Sequence, residues 1–291
     1  MAGPLVVGVD GSDASLQALD WAADEGMLHE LPLRLIYASR WERYEGTALA
    51  LSLDRPAERV LADNIVGVAA ERANLRHADL SVSTQVLSDD PETVLLREGH
   101  DASAVVLGSR GRGAFTGLLL GSVGLAVAAR AECPVIVVRG DKAGLEGTHE
   151  RILLGIGDSA KGSEAVRFAF REAEARGCSL EAVRAWRCPA HETTDHPQLA
   201  AEPEQYHKDR AVALLDEALE EEIGEHPTVR VRRAAVEGAA HRLLVHRSAA
   251  ADLLVIGARR RQSRLGLQLG RVAHAALHHA VCPVAVVPQP E

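Results

Sequence analysis

The 291-residue chain is poor in aromatic side chains, at 3% Phe, Trp and Tyr, although its apolar fraction is 47%. Val, Leu and Ala therefore supply the packing, which suits parallel strands covered by helices on both faces. It has only four cysteines (Cys133, Cys178, Cys188, Cys282) and no Cys-x-x-Cys pair, which excludes a disulfide framework and reads as reduced thiols. Cys133 and Cys282 each precede a proline that opens an edge strand, so they read as small buried hydrophobes. The longest uncharged run, residues 113–129, holds four glycines and falls short of the roughly 20 apolar residues that span a bilayer. The N-terminus lacks a basic segment followed by a cleavable apolar core, so no export signal is expected and the expected location is the cytoplasm.

Positive charge is also scarce. Residues 1–147 carry 13 Lys+Arg against 21 Asp+Glu, and residues 148–291 carry 19 against 20, giving −8 and −1 of the total −9. Neither half offers the basic surface that nucleic acid requires. There is no Gly-x4-Gly-Lys-(Ser/Thr) loop, no Gly-x-Gly-x-x-Gly after the first strand and no Gly-x-Ser-x-Gly elbow. A P-loop NTPase, a dinucleotide dehydrogenase and a serine hydrolase are thereby disfavoured.

What is present is a duplication. Leu5-Val-Val-Gly-Val-Asp-Gly-Ser12 returns as Ile152-Leu-Leu-Gly-Ile-Gly-Asp-Ser159; Ala104-Val-Val-Leu-Gly-Ser-Arg110 returns as Leu253-Leu-Val-Ile-Gly-Ala-Arg259; Cys133-Pro-Val-Ile-Val-Val138 returns as Cys282-Pro-Val-Ala-Val-Val287. Two domains, 1–142 and 149–291, follow, separated by the glycine-rich, charged stretch 140–147. Each alternates apolar strands with helices, predicting an α/β class with two tandem doubly wound parallel sheets of five strands each. In the first copy Ser12 caps a helix whose inner face carries Ala18, Leu19, Ala22 and Ala23. A second helix after Pro56 is expected to turn Val60, Leu61, Ile65, Val68 and Ala69 inward. In such a sheet a ligand sits beyond the strand C-termini where strand order reverses, which should place Asp10 and Gly108 on one crevice.

The informative stretch is Ala104–Val123: a buried strand, a glycine-rich loop and a helix opening at Gly121-Ser122. Glycines permit close backbone approach, successive N–H groups form a nest, and a helix start adds unpaired donors, so the order suits a phosphate group. Ser122 adds a hydroxyl and Arg110 a cation. Bland alternatives stand beside this: Asp10 as a turn aspartate, Arg110 as a solvated loop arginine, Gly108 and Gly111 as turn glycines.

The spacing Gly108-x2-Gly111-x9-Gly121-Ser122 resembles the signature of the universal stress protein family, in its ATP-binding branch, and the likeness runs from Leu5 to Val287. The resemblance implies that ATP, with Mg²⁺, is held in the first domain. Asp10 would reach the ribose and adenine end, Gly8 and Val9 would line the base pocket, and Ala38 would offer backbone to adenine. Leu107, Gly108, Arg110 and Gly111 would meet ribose and the first phosphates, and Gly121, Ser122 and Val123 the outer ones. It further implies an internal pseudo-dimer through the last strands, and a homodimer of two chains is a further expectation. A phosphate nest without catalytic machinery points to a regulatory role in which occupancy orders the 110–121 loop for an unknown protein partner.

The second copy departs from the signature. Gly157 stands for Asp10, Arg260 for Gly111 and Arg271 for Ser122, while Gly257 and Gly270 persist. Five arginines (259, 260, 261, 264, 271) crowd its loop. A weak site at Gly257, Arg259 and Gly270, guanidiniums filling a vacated pocket, and a solvated basic loop all remain open. Two rivals to the regulatory reading also stand: a slow ATPase or autophosphorylating enzyme using Ser122 or Thr116, and a nucleotide-free interaction module. No catalytic residues and no metal site are assigned. His274, His278 and His279 lie at helical spacing without a third ligand nearby in sequence, and His191–Asp195 is only a near miss of a zinc-protease pattern.

Overall fold

Short β-branched runs become strands and the Ala- and Leu-rich stretches between them become helices, as the alternation requires. The computed structural model describes residues 3–39, 57–111, 120–157, 163–188, 203–259, 262–263, 266–267 and 269–289. The chain divides into two compact units, Met1–Arg139 and Gly140–Glu291.

The first unit runs β1 (Leu5–Gly8), α1 (Asp13–Leu28), β2 (Leu33–Ala38), α2 (Ala57–Arg76), β3 (Val82–Leu87), α3 (Pro91–Glu98), β4 (Ala104–Gly108), α4 (Ser122–Arg130) and β5 (Val135–Val138). Its strands are parallel in the order β3-β2-β1-β4-β5. The chain therefore leaves β1 toward β2 on one side and returns to β4 on the other. Val6, Val7, Val105 and Val106 in those central strands are fully buried, because both sheet faces are covered.

Ser12 caps α1 as expected: its hydroxyl accepts from Ser15 N at 3.3 Å. Ala18, Leu19, Ala22 and Ala23 are all buried. Helix α2 corrects one expectation. Ile65 and Ala69 face inward, whereas Val60, Leu61 and Val68 are 43%, 45% and 60% exposed. The buried face is Ala62, Ile65, Val66, Ala69 and Ala73; alanines let the helix seat close, so the row with the larger side chains was the misleading one. Bidentate pairs Arg72–Asp20 and Arg76–Asp24, with N–O distances of 2.6 Å, tie α2 to α1. Pro56, proposed as the start of α2, and the loop through Trp41 and Tyr44 lie outside the described residues.

The second unit opens with the short helix α5 (Lys142–Leu145), then β6 (Arg151–Gly155), α6 (Glu164–Ala175), β7 (Ser179–Trp186), α7 (Pro203–Glu225), β8 (Arg230–Glu237) and α8 (Ala240–Arg247). A 3-10 turn at Ser248–Ala250 leads to β9 (Leu253–Arg259), the small hairpin β10 (Gln262–Ser263) and β11 (Gly266–Leu267), α9 (Arg271–His279) and β12 (Val284–Gln289). The five main strands are again parallel, in the order β8-β7-β6-β9-β12. The stretch 140–147 is folded in part: Asp141 caps α5, and Gly140, at φ +109°, lies where a Cβ would be 2.2 Å from Val281 O. Among the described residues no helix is long and apolar enough to cross a membrane.

Candidate functional site

In the first unit β1 and β4 are neighbours, with Leu5 opposite Ala104 and Val7 opposite Val106. Their C-terminal ends meet the N-terminus of α1. A Cβ at Gly108 would lie 2.5 Å from Ala14 O and 2.9 Å from Ser15 N, both backbone atoms, so only glycine fits there. At Gly8 a Cβ would lie 2.6 Å from Leu107 Cδ2. Val9 and Leu107 are buried, and Val9 N donates to Ile36 O at 2.9 Å.

After β1 the chain turns through Gly11 at φ +76°. The turn fixes Asp10: its Oδ1 accepts from Ser12 N at 3.0 Å and Ser12 Oγ at 2.6 Å, and its own N–H donates to Ser15 Oγ at 3.3 Å. Ser12 Oγ also reaches Arg110 O at 3.5 Å. The other carboxylate oxygen, Oδ2, lies where a Cβ on Gly111 would be only 2.6 Å away. Residues about a hundred positions apart thus meet at one sheet edge.

Helix α4 completes the group. Gly121 N donates to Ser109 O at 2.9 Å, and a Cβ on Gly121 would lie 3.9 Å from both Arg110 Cα and Gly111 N. Gly121 is the N-cap in extended conformation, with no side-chain cap, so the helix start offers N–H donors and the positive dipole end beside the Arg110–Gly111 turn. Arg110 and Ser122 are exposed, Val123 half-buried. Ala38 ends β2 at the same edge, opposite Leu87, one strand away from β1. Asp10, Gly108, Arg110, Gly111 and Gly121 are therefore brought together, with Ala38 further along. Thr116 lies outside the described residues.

The second unit keeps the scaffold and changes the lining. Gly157 has open space about its Cα, and its carbonyl accepts from Arg184 Nη1 at 2.6 Å. A Cβ on Gly257 would meet the Gln289 side chain at 3.1–3.2 Å, and Gln289 Oε1 accepts from Ser163 Oγ at 2.6 Å. The helix start that presses on Gly108 in the first unit is here met through an inserted amide. Gly270 is the N-cap of α9, again without a side-chain cap. Arg259 ends β9 opposite Gln289; Arg260, Arg261 and Arg264 lie outside the described residues. A cleft of about 640 Å³ opens at the strand C-termini between β7, β9, α8 and α9.

Of the groups discounted from sequence, His274 and His278 stack with centroids 4.4 Å apart, and no third ligating atom joins them among the described residues. Cys133, Cys178 and Cys282 are buried; burial pushes the Cys133 thiol up to about 11. Sequence reasoning missed Ser12 and Ser15 as the groups that orient Asp10, although Asp-Gly-Ser is a recognisable Asx-turn pattern. It also missed Gln289, for which no local signal exists, since its role depends on β12 reaching Ser163.

The family model described as "Universal stress protein family" matches residues 1–139 and 148–288. A universal stress protein of Mycobacterium tuberculosis is 33% identical over 291 residues, covering 98% of this chain and 97% of its own. The solved universal stress protein of Archaeoglobus fulgidus superposes with a TM-score of 0.69 at 18% identity, covering 99% of this chain and 98% of its own, a likeness of fold. A universal stress protein solved in complex with cAMP is 27% identical, with a TM-score of 0.36, and covers 47% of this chain and 97% of its own; the nucleotide belongs to that protein. Two matched copies and a relative aligned end to end make this chain a member of the universal stress protein family.

Proposed function

We propose that the first unit binds ATP, accompanied by Mg²⁺, and that occupancy regulates recognition of this cytoplasmic protein by a protein partner. The observation that carries the reading is Asp10: a carboxylate held by Ser12, with Oδ2 2.6 Å from where a Cβ on residue 111 would stand, room that glycine leaves. A carboxylate accepts the two hydroxyls of a ribose, and glycines beside it let phosphate oxygens approach main-chain N–H groups. Uncapped α4 faces the same turn and favours negative charge. Gly8, Val9 and Ala38 sit on the β1–β2 side, where a base would lie, with Leu107 beneath it; Ser122, Val123 and Arg110 sit on the phosphate side. Mg²⁺ keeps most of its water and takes phosphate oxygens, so it asks little of the chain beyond room for the hydrated ion. A bound triphosphate changes the charge of this edge and thereby the surface a partner meets.

Calorimetric titration of the full chain with ATP and Mg²⁺ tests this, alongside Gly111→Arg. Binding in the parent chain and its loss in the variant are expected. Equal affinity in both would remove the site from residues 108–122.

A further inference from the structure

We infer that the cleft of the second unit is a separate site for a short chain of linked phosphates carrying no nucleoside, held by side-chain cations and two helix starts. This stands independently of the first unit's reading.

The argument is one of chemical type. In the first unit, positions 10, 89 and 90 are all aspartate; their counterparts by register and cap position are Gly157, Gly238 and Ala239. Asp90 caps α3 by accepting from Thr93 N at 3.3 Å. Ala239 cannot do so, and α8 begins with no side-chain cap. Helix α9 is likewise uncapped at Gly270. Both helix starts line the one cleft of about 640 Å³, together with Trp186, Arg187, His241 and Arg271. None of Arg187, His241 and Arg271 has an ion pair or hydrogen bond among the described residues, and the Trp186 indole N–H has no acceptor.

The cleft's described side chains thus include two guanidiniums, an imidazole and an indole, but no carboxylate, hydroxyl or amide. Ribose hydroxyls are best met by carboxylate or amide acceptors, and the described side chains of this lining include none. An oxyanion needs donors alone. Guanidiniums grip phosphate oxygens in pairs, and two converging helix starts add their partial charge. The open volume accommodates several linked phosphates.

The test is calorimetry of the full chain carrying Gly111→Arg, so that the first unit's turn is blocked, with sodium tripolyphosphate and, separately, adenosine in Mg²⁺-free buffer. The indole N–H resonance of Trp186, assigned with Trp186→Phe, serves as the local reporter. Tripolyphosphate is expected to bind and move that resonance, weakening as salt is added; adenosine is expected to do neither. Adding Arg271→Ser should weaken binding about tenfold or more, the worth of a lost charged hydrogen bond. Adding Ala239→Asp restores a cap and a negative charge; it should weaken binding further while leaving the melting temperature equal or higher, which separates loss of the site from loss of the fold. An adenosine-induced shift at Trp186, no binding of tripolyphosphate, or binding indifferent to both second-unit changes overturns the assignment. None of those outcomes bears on ATP in the first unit, which the parent chain reports.

Discussion

Gly111→Ala adds one methyl group, and the structure says what it strikes. The new Cβ would sit 2.6 Å from Asp10 Oδ2, where ordinary contact begins at 3.4 Å, so the carboxylate, the free end of a side chain, is the group that gives way. The backbone at 111 is not left-handed, so alanine suits it and the strain falls on Asp10. Moving Oδ2 turns the whole carboxylate, whose Oδ1 accepts the 2.6 Å bond from Ser12 Oγ and the 3.0 Å bond from Ser12 N, and one or both should weaken. Losing one or both costs about 1–3 kcal/mol, less about 0.4–1 kcal/mol regained from the stiffer unfolded chain. Net destabilisation should be about 0–2.5 kcal/mol. If the first unit binds ATP as proposed, affinity should fall further, by about 10- to 100-fold, because a displaced carboxylate would no longer reach the ribose hydroxyls with charged hydrogen bonds. A double-mutant cycle with Asp10→Ala, read by calorimetry, isolates the cause. If Gly111→Ala acts through Asp10, it costs little once that carboxylate is gone. Strict additivity of the two losses would refute the reasoning.

Three further outcomes are expected. Gly108→Ala drives a methyl into the backbone of Ala14 and Ser15, which cannot rotate away, and should lower unfolding free energy by about 1–3 kcal/mol in urea titrations; an unchanged midpoint would contradict the packing. Asp252, buried, accepts from His149 N at 2.9 Å and Arg151 N at 3.0 Å; Asp252→Ala should cost about 3 kcal/mol by stranding both donors, against none if water replaces it. The Cys133 thiol, raised from 9.0 to about 11 by burial, keeps its proton when the unfolded chain has lost it. Stability should therefore fall between about pH 9 and 11 by roughly 2–3 kcal/mol from this group. The slope over that window should flatten in Cys133→Ala; equal slopes would exclude the thiol.

The order of elements was readable because burial on both sheet faces forces unbroken apolar strands, and because Ser12 marks a helix start by a local rule. The faces of α2 were not. Val60, Leu61 and Val68 look like core, yet the sheet received the alanine row, a choice made by how closely a helix can seat and not by hydrophobicity alone. At the site, the glycine spacing was visible in the chain, but its cause was not: Gly108 is required by the α1 backbone and Gly111 by the Asp10 carboxylate, each a contact across about a hundred residues. The cleft of the second unit was harder still. The repeat already showed Gly157 in the place of Asp10, but that Gly238 and Ala239 line the same cleft emerges only from the fold.

The two copies carry different residues at the same edge of one scaffold, on sheets of the same strand order. Both units keep the same strand order and the same uncapped helix after the central strand. A duplicated parallel sheet supplies donors at its C-terminal edge wherever it occurs, since helix starts point there by construction. Acceptors are different: each must be brought by a side chain on a particular turn, as Asp10 is by Gly11 and Ser12. Building such an acceptor into the second unit therefore takes more than one substitution. Gly157→Asp alone should not confer adenosine binding on the second unit, because the glycine that faces Asp10 at 111 has become Arg260. Only Gly157→Asp with Arg260→Gly should do so, and adenosine binding by the single variant, measured by calorimetry, would show that the carboxylate never needed the glycine.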